Sequence, residues 1–150
     1  GFERGDDLRC SAKPNDGTTD GLEVESDAVT VGNALPVIDD GGVQISADTD
    51  ADGDGDSSTA TEGDTLRCSV LAGYADDPDG DVVTADYSWT INTVAAGTGE
   101  TLAQGFLVGD EVICEATPFE NYDGNGPYLG LPVASAPTVR NAGGRRATTT

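Results

Sequence analysis

Three cysteines, one tryptophan and a set of clustered acids are the residues of this chain best suited to chemistry. A cysteine can be oxidised, bind a metal or act as a nucleophile. The last two roles usually recruit histidine, and the chain has none. Cys68, Trp89 and Cys114 follow one another at strand-like intervals, and Cys10 stands apart. Carboxylates are hard oxygen ligands for cations such as Ca²⁺. The chain holds 28 Asp and Glu against 7 Lys and Arg, a net charge of −21. That charge argues against nucleic acid or an anionic membrane as partner and favours divalent cations.

The acids fall into three clusters. Asp48, Asp50, Asp52, Asp54 and Asp56 lie in the run DTDADGDGD. Their spacing matches the ligand positions of an EF-hand loop, but Thr59 stands where the bidentate Glu belongs and no helical pattern flanks the run. The second cluster is Asp76, Asp77, Asp79 and Asp81; the third is Glu120, Asn121, Asp123 and Asn125. Carboxylates brought together repel unless a cation lies between them. The expected metal ligands are Asp48, Asp50, Asp52, Asp54, Asp56, Asp76, Asp77, Asp79, Asp81 and Asp123. The competing reading makes these segments solvated loops, with DPDGD a turn set by Pro78 and Gly80.

Strands must position these residues. Leu66, Cys68 and Val70 alternate with polar neighbours, as do Val83, Ala85, Tyr87, Trp89 and Ile91, and again Val112, Cys114 and Ala116. That is the period of a half-buried strand. No window carries a convincing helical stripe, and 21 Gly and 7 Pro punctuate the chain as turns do. The pattern predicts strand A at 42–46, B at 64–71, C at 82–92, D near 94–98, E at 100–107, F at 110–117 and G at 131–140. Cys68, Trp89 and Cys114 have the order and spacing of an immunoglobulin-type sandwich core, in which a B–F disulfide joins two sheets and an indole packs on it. Such a bridge would add roughly 4 kcal/mol by restricting the unfolded chain. Two free, buried thiols are the alternative.

The chain also repeats itself. Residues 5–14 read GDDLRCSAKP and residues 109–118 read GDEVICEATP. Each is followed by a Gly/Asp/Asn loop, then by VTVGNA at 29–34 or PTVRNA at 137–142. A period of about 105 residues fits one sandwich domain and is too long for a solenoid unit. The expected organisation is an incomplete repeat at 1–34 holding strands F and G, a complete domain at 35–140, and a linker or donated strand at 141–150. Cys10 is then an F-strand cysteine whose partner lies outside this chain segment.

The stretches EGDTLRCSV, DDPDGDVVTADYSW, GDEVICEATP and APTVRN resemble bacterial tandem immunoglobulin-like repeats of secreted or surface proteins. They also resemble polycystic-kidney-disease and cadherin-like modules. The resemblance implies an all-β, immunoglobulin-like sandwich with a structural or adhesive role and no shared catalytic residues. One departure is clear: Val112 stands where antibody domains place a tyrosine two residues before the second Cys.

The function expected is a segment of an extracellular fibre or surface stalk, self-associating head to tail or through neighbouring repeats. Low-affinity Ca²⁺ between the B–C and F–G loops is expected to stiffen the joints. The alternative is an adhesin or carbohydrate-binding module using Phe119, Tyr122 and Tyr128. No catalytic residue is assigned, because hydrolysis without His needs two carboxylates about 5–10 Å apart in a cleft. No run approaches the ~18 apolar residues of a membrane helix.

Overall fold

A computed structural model of the chain describes residues 1–47, 65–103, 105–107 and 109–139. They form an all-β protein of antiparallel strands, in two compact units, Gly1–Ala34 and Leu35–Thr150. The first unit contains β1 (Asp7–Leu8), β2 (Ser11–Ala12), β3 (Val24–Glu25) and β4 (Val29–Thr30), with β1 paired to β4 and β2 to β3. No residue of this unit is buried.

The second unit runs β5 (Val37–Ile38), β6 (Val43–Ala47), β7 (Leu66–Val70), β8 (Ala75–Asp76), β9 (Thr84–Ile91), β10 (Val94–Thr98), β11 (Thr101–Leu102), β12 (Glu111–Glu120), β13 (Tyr128–Leu129), β14 (Val133–Ala134) and β15 (Thr138–Val139). One sheet has the order β11-β7-β6. The other has the order β10-β9-β12, and β12 then takes β13, β14 and β15 in turn on its far side. A short ladder joins β5 to β8.

The two main sheets share one apolar core, the arrangement of a β-sandwich. Ile45, Leu66 and Cys68 come from one sheet; Trp89, Val112, Cys114 and Ala116 come from the other. Cys68 and Cys114 form a disulfide that joins them. Trp89 stands opposite Cys114 on the neighbouring strand and is buried, and its Nε1–H donates to the Gly99 carbonyl at 2.8 Å. The indole thus buries its apolar body without stranding its one polar group.

The strand expected near 94–98 is present and pairs with β9, the Trp89 strand; three other expectations change. Asn92 and Thr93 both take positive φ, 49° and 69°, which is the tight two-residue hairpin geometry. Among the described residues of the strand expected at 100–107, the strand is Thr101–Leu102, with the Glu100 carbonyl also accepting Cys68 N–H, and Gly105 takes φ 107°. The strand expected to end at 117 continues to Glu120 through Pro118. The strand expected at 131–140 is broken into short pieces. Pro132 and Pro137 cannot donate to a ladder, and among the described residues the strand pieces are Val133–Ala134 and Thr138–Val139, with Ser135 N–H also bonded to the Cys114 carbonyl.

Candidate metal centre

Two segments meet at one end of the second unit. The first is the turn after β8. Asp77 accepts Gly80 N–H at its carbonyl, at 2.9 Å, with Pro78 second in the turn and Gly80 at φ 81°. Pro in the second position and Gly in the fourth suit a β-turn, and Gly alone tolerates that φ without strain. The Asp77 side chain folds back over the turn: its Oδ1 accepts Asp79 N–H at 2.8 Å and Asp81 N–H at 3.4 Å. This fixes one carboxylate oxygen and aims the other inward.

The second segment is the end of β12. Val112, Cys114, Ala116, Pro118 and Glu120 alternate onto the buried face, so the strand's own period carries an acid into the interior. Glu120 is wholly buried and Asp77 is 5% exposed. The start of the unit is held beside them. Val37 pairs with Asp76, one residue before Asp77. Pro36 and Pro118 are both buried, and a Cβ on Gly130 would collide with the Pro36 carbonyl oxygen and lie 2.8 Å from Pro118 Cγ.

Asp77, Asp81 and Glu120 each place one carboxylate oxygen within 4.8 Å of the others. Two oxygens that both bind Ca²⁺ at about 2.3–2.6 Å lie at most about 5 Å apart, so one ion can bind all three groups. Asp77 Oδ2 is buried and accepts no hydrogen bond. A buried carboxylate oxygen with no donor is costly unless a cation meets it. The residues therefore fit a hard, oxygen-seeking cation, with backbone carbonyls or water completing its shell.

Of the expected ligands, the fold gathers Asp77 and Asp81 and adds Glu120. Asp76 and Asp79 are exposed and outside this group. Asp123 is engaged in its own turn: it accepts from Asn125 N–H at 2.8 Å, Asn125 Nδ2 at 3.2 Å and Tyr128 Oη at 2.9 Å. These bonds, the Asn125 backbone first, hold its carboxyl below the usual range. Asp48, Asp50, Asp52, Asp54 and Asp56 lie outside the described residues. Glu120 belongs to the third acidic cluster of the sequence, but it sits on a strand rather than in a loop. Its signal was its inward position in the Val112–Cys114–Ala116 alternation.

The aromatic candidates are largely committed to local structure. Tyr122 and Tyr128 stack with ring centroids 5.0 Å apart. The Tyr128 phenol is pushed up to about 12, chiefly by its bond to the Asp123 carboxylate. Phe119 is half-buried on β12, opposite Thr84, whose hydroxyl donates to the Phe119 carbonyl at 3.1 Å. Among the described residues, no helix is long and apolar enough to cross a membrane. No protein-family model, curated protein or solved structure matches this chain.

Proposed function

We propose that this chain is a structural segment of an extracellular array of immunoglobulin-like repeats, and that Ca²⁺ bound by Asp77, Asp81 and Glu120 locks one end of its sandwich. The observation that carries the ion is the buried group of three carboxylates, with Asp77 Oδ2 lacking any donor. Strand order supports the immunoglobulin-like reading: β6, β7 and β11 face β10, β9 and β12, with a disulfide from β7 to β12. The disulfide also suits an oxidising compartment. The ion's role follows from its neighbours. It would tie the turn after β8 to the end of β12, beside the segment Pro36–Ile38 where the unit starts. A stiffened start is what a load-bearing module needs.

Titration calorimetry on chelator-treated protein tests the ion. One Ca²⁺ site is expected in the range of extracellular modules, about 10⁻⁴–10⁻³ M. At a hundred times Kd the ion should stabilise the fold by about 2.7 kcal/mol. No heat in millimolar Ca²⁺, together with a melting temperature unmoved by chelator, would remove this reading.

A further inference from the structure

The first unit copies the cysteine hairpin of the second, bond for bond. Asp7 faces Thr30 as Glu111 faces Val139, and Leu8 faces Val29 as Val112 faces Thr138. Ser11 faces Glu25 as Glu115 faces Ala134, and Ala12 faces Val24 as Ala116 faces Val133. The side-chain bonds recur as well. Ser26 Oγ accepts Cys10 N–H at 3.0 Å, as Ser135 Oγ accepts Cys114 N–H at 3.1 Å. Ser26 N–H donates to the Cys10 carbonyl at 2.8 Å, and Ser135 N–H to the Cys114 carbonyl at 2.7 Å.

The copies differ in what covers them. Val112, Cys114 and Ala116 are at most 1% exposed, packed in one core with Ile45, Leu66 and Cys68. At the matching places Leu8 is half-buried, Ala12 is exposed and Cys10 is an exposed free thiol, and Val29 and Val24, opposite Leu8 and Ala12, are 68% and 67% exposed. Cross-strand partners share a face of a sheet, so Leu8, Cys10, Ala12, Val24 and Val29 lie on one side. The second unit displays the cover such a face takes: a sheet whose strand β7 reads Leu-Arg-Cys-Ser-Val.

We infer that Leu8, Cys10, Ala12, Val24 and Val29 form a docking face for a β-sheet of the β6–β7–β11 kind, whose central strand carries a cysteine that bonds to Cys10. In the bonding step two thiols become one disulfide. Their two electrons and two protons pass to a disulfide oxidant, which is reduced to two thiols. The occupant is defined by its chemistry: apolar residues two before and two after a cysteine on a strand flanked on both sides, with no strand of its own covering that cysteine.

The test keeps the full chain and places a second copy of residues 35–104, which holds β5 to β11 with its own Cys68, directly before Gly1, in the order those strands have before β12. After oxidation in a glutathione redox buffer, peptide mapping should find Cys10 bonded to a Cys68 peptide beside the Cys68–Cys114 bridge. The yield of that bond should exceed by at least tenfold that of the same extension with Cys68→Ser and Ser69→Cys, which turns the thiol to the other face. Val24→Asp with Val29→Asp should cut it by a similar factor while leaving the Cys68–Cys114 bridge formed, and in the unextended chain the same pair should leave Trp89 fluorescence unchanged. Amide exchange across residues 8–12 should be slower in the extended chain than in the parent. Equal yields from both extensions, a free Cys10 in the extended chain whose Cys68–Cys114 bridge has formed, a bond indifferent to the aspartates, or Cys10–Cys10 dimers as the main product would each overturn the inference.

Discussion

Two hairpins in this molecule share a backbone and differ in surroundings. In the second unit the cysteine strand is buried, bridged and backed by a tryptophan; in the first it is exposed and its thiol is free. The hydrogen bonds around Cys10 and Cys114 are nonetheless the same. Local bonding therefore depends on the hairpin's own sequence, above all on Ser26 and Ser135, and not on the opposing sheet. What the opposing sheet adds is burial and a covalent link, and those are the terms that stabilise a fold.

Removing the covalent link should have the largest effect. The bridge closes a loop of 46 residues. Cys68→Ala with Cys114→Ala should lower stability by about 4 kcal/mol through the freer unfolded chain. Denaturant unfolding followed by Trp89 fluorescence reads the loss. Cys10→Ser should stay within about 0.5 kcal/mol of the parent, as exposed substitutions usually do. A large effect of Cys10→Ser would mean that the first hairpin is already covered.

The ion separates the hairpins next. Asp16 follows Asn15, which pairs with Asp20 as Phe119 pairs with Leu129, so Asp16 takes the place of Glu120. It is exposed and accepts from its own turn, Thr18 N–H at 2.9 Å and Thr19 N–H at 2.8 Å. Glu120 is instead buried against Asp77 and Asp81. Asp77→Asn should abolish the roughly 2.7 kcal/mol gained at saturating Ca²⁺. It should also raise the melting temperature of the chelated protein, because one of three repelling charges is gone. Asp16→Asn should leave the Ca²⁺ gain unchanged in scanning calorimetry.

The cysteine core was legible in the sequence because the period-two alternation around Cys68, Trp89 and Cys114 is clean. The rest was hidden for specific reasons. Pro118 looked like the end of a strand. Its carbonyl accepts Gly130 N–H, so its missing donor faces that side too, and the ladder to β9, where Pro118 stands opposite Ala85, loses no bond. Stopping the strand at Pro118 also hid Glu120, the one ligand on a strand. The tight hairpin before β10 was hidden because Asn92-Thr93 lacks the usual glycine. Within DDPDGD, composition marks four acids across 76–81 but not which of them turns inward. That is settled by the fold-back of Asp77 onto its own turn.

A pair of glycines gives a smaller test of what covering adds. Gly21 N–H donates to the Pro14 carbonyl as Gly130 N–H donates to that of Pro118. A Cβ at Gly21 would meet the Pro14 ring at 2.8 Å, a contact that ring pucker can relieve. A Cβ at Gly130 would also press on the Pro36 backbone, which cannot move without shifting β5. Gly130→Ala should cost about 1–3 kcal/mol, the usual range for overpacking. Gly21→Ala should be near neutral in the same Trp89-monitored unfolding.

The turns that follow the two cysteine strands should answer pH in different ways, and this is the finest of the contrasts. In the first unit the turn rests on the Asp16 carboxylate, held below its usual value by the Thr19 and Thr18 backbone amides. A depressed carboxyl contributes above the unfolded value of 3.8 and is lost as pH falls through the lower folded one. In the second unit the neutral Tyr128 phenol donates to Asp123, and its titration rises from 10.0 to about 12. A raised phenol contributes below pH 10 and is lost as pH rises through the folded value. Thr18 and Thr19 amide shifts should therefore move only in acid. Absorbance at ~295 nm should show Tyr128 ionising about two units late, beside Tyr87, which burial also raises, and Tyr128→Phe or Asp123→Asn should abolish the Tyr128 delay alone. A normal Tyr128 titration would mean that the longer turn is not clamped by its phenol, and the two turns would then differ in length alone.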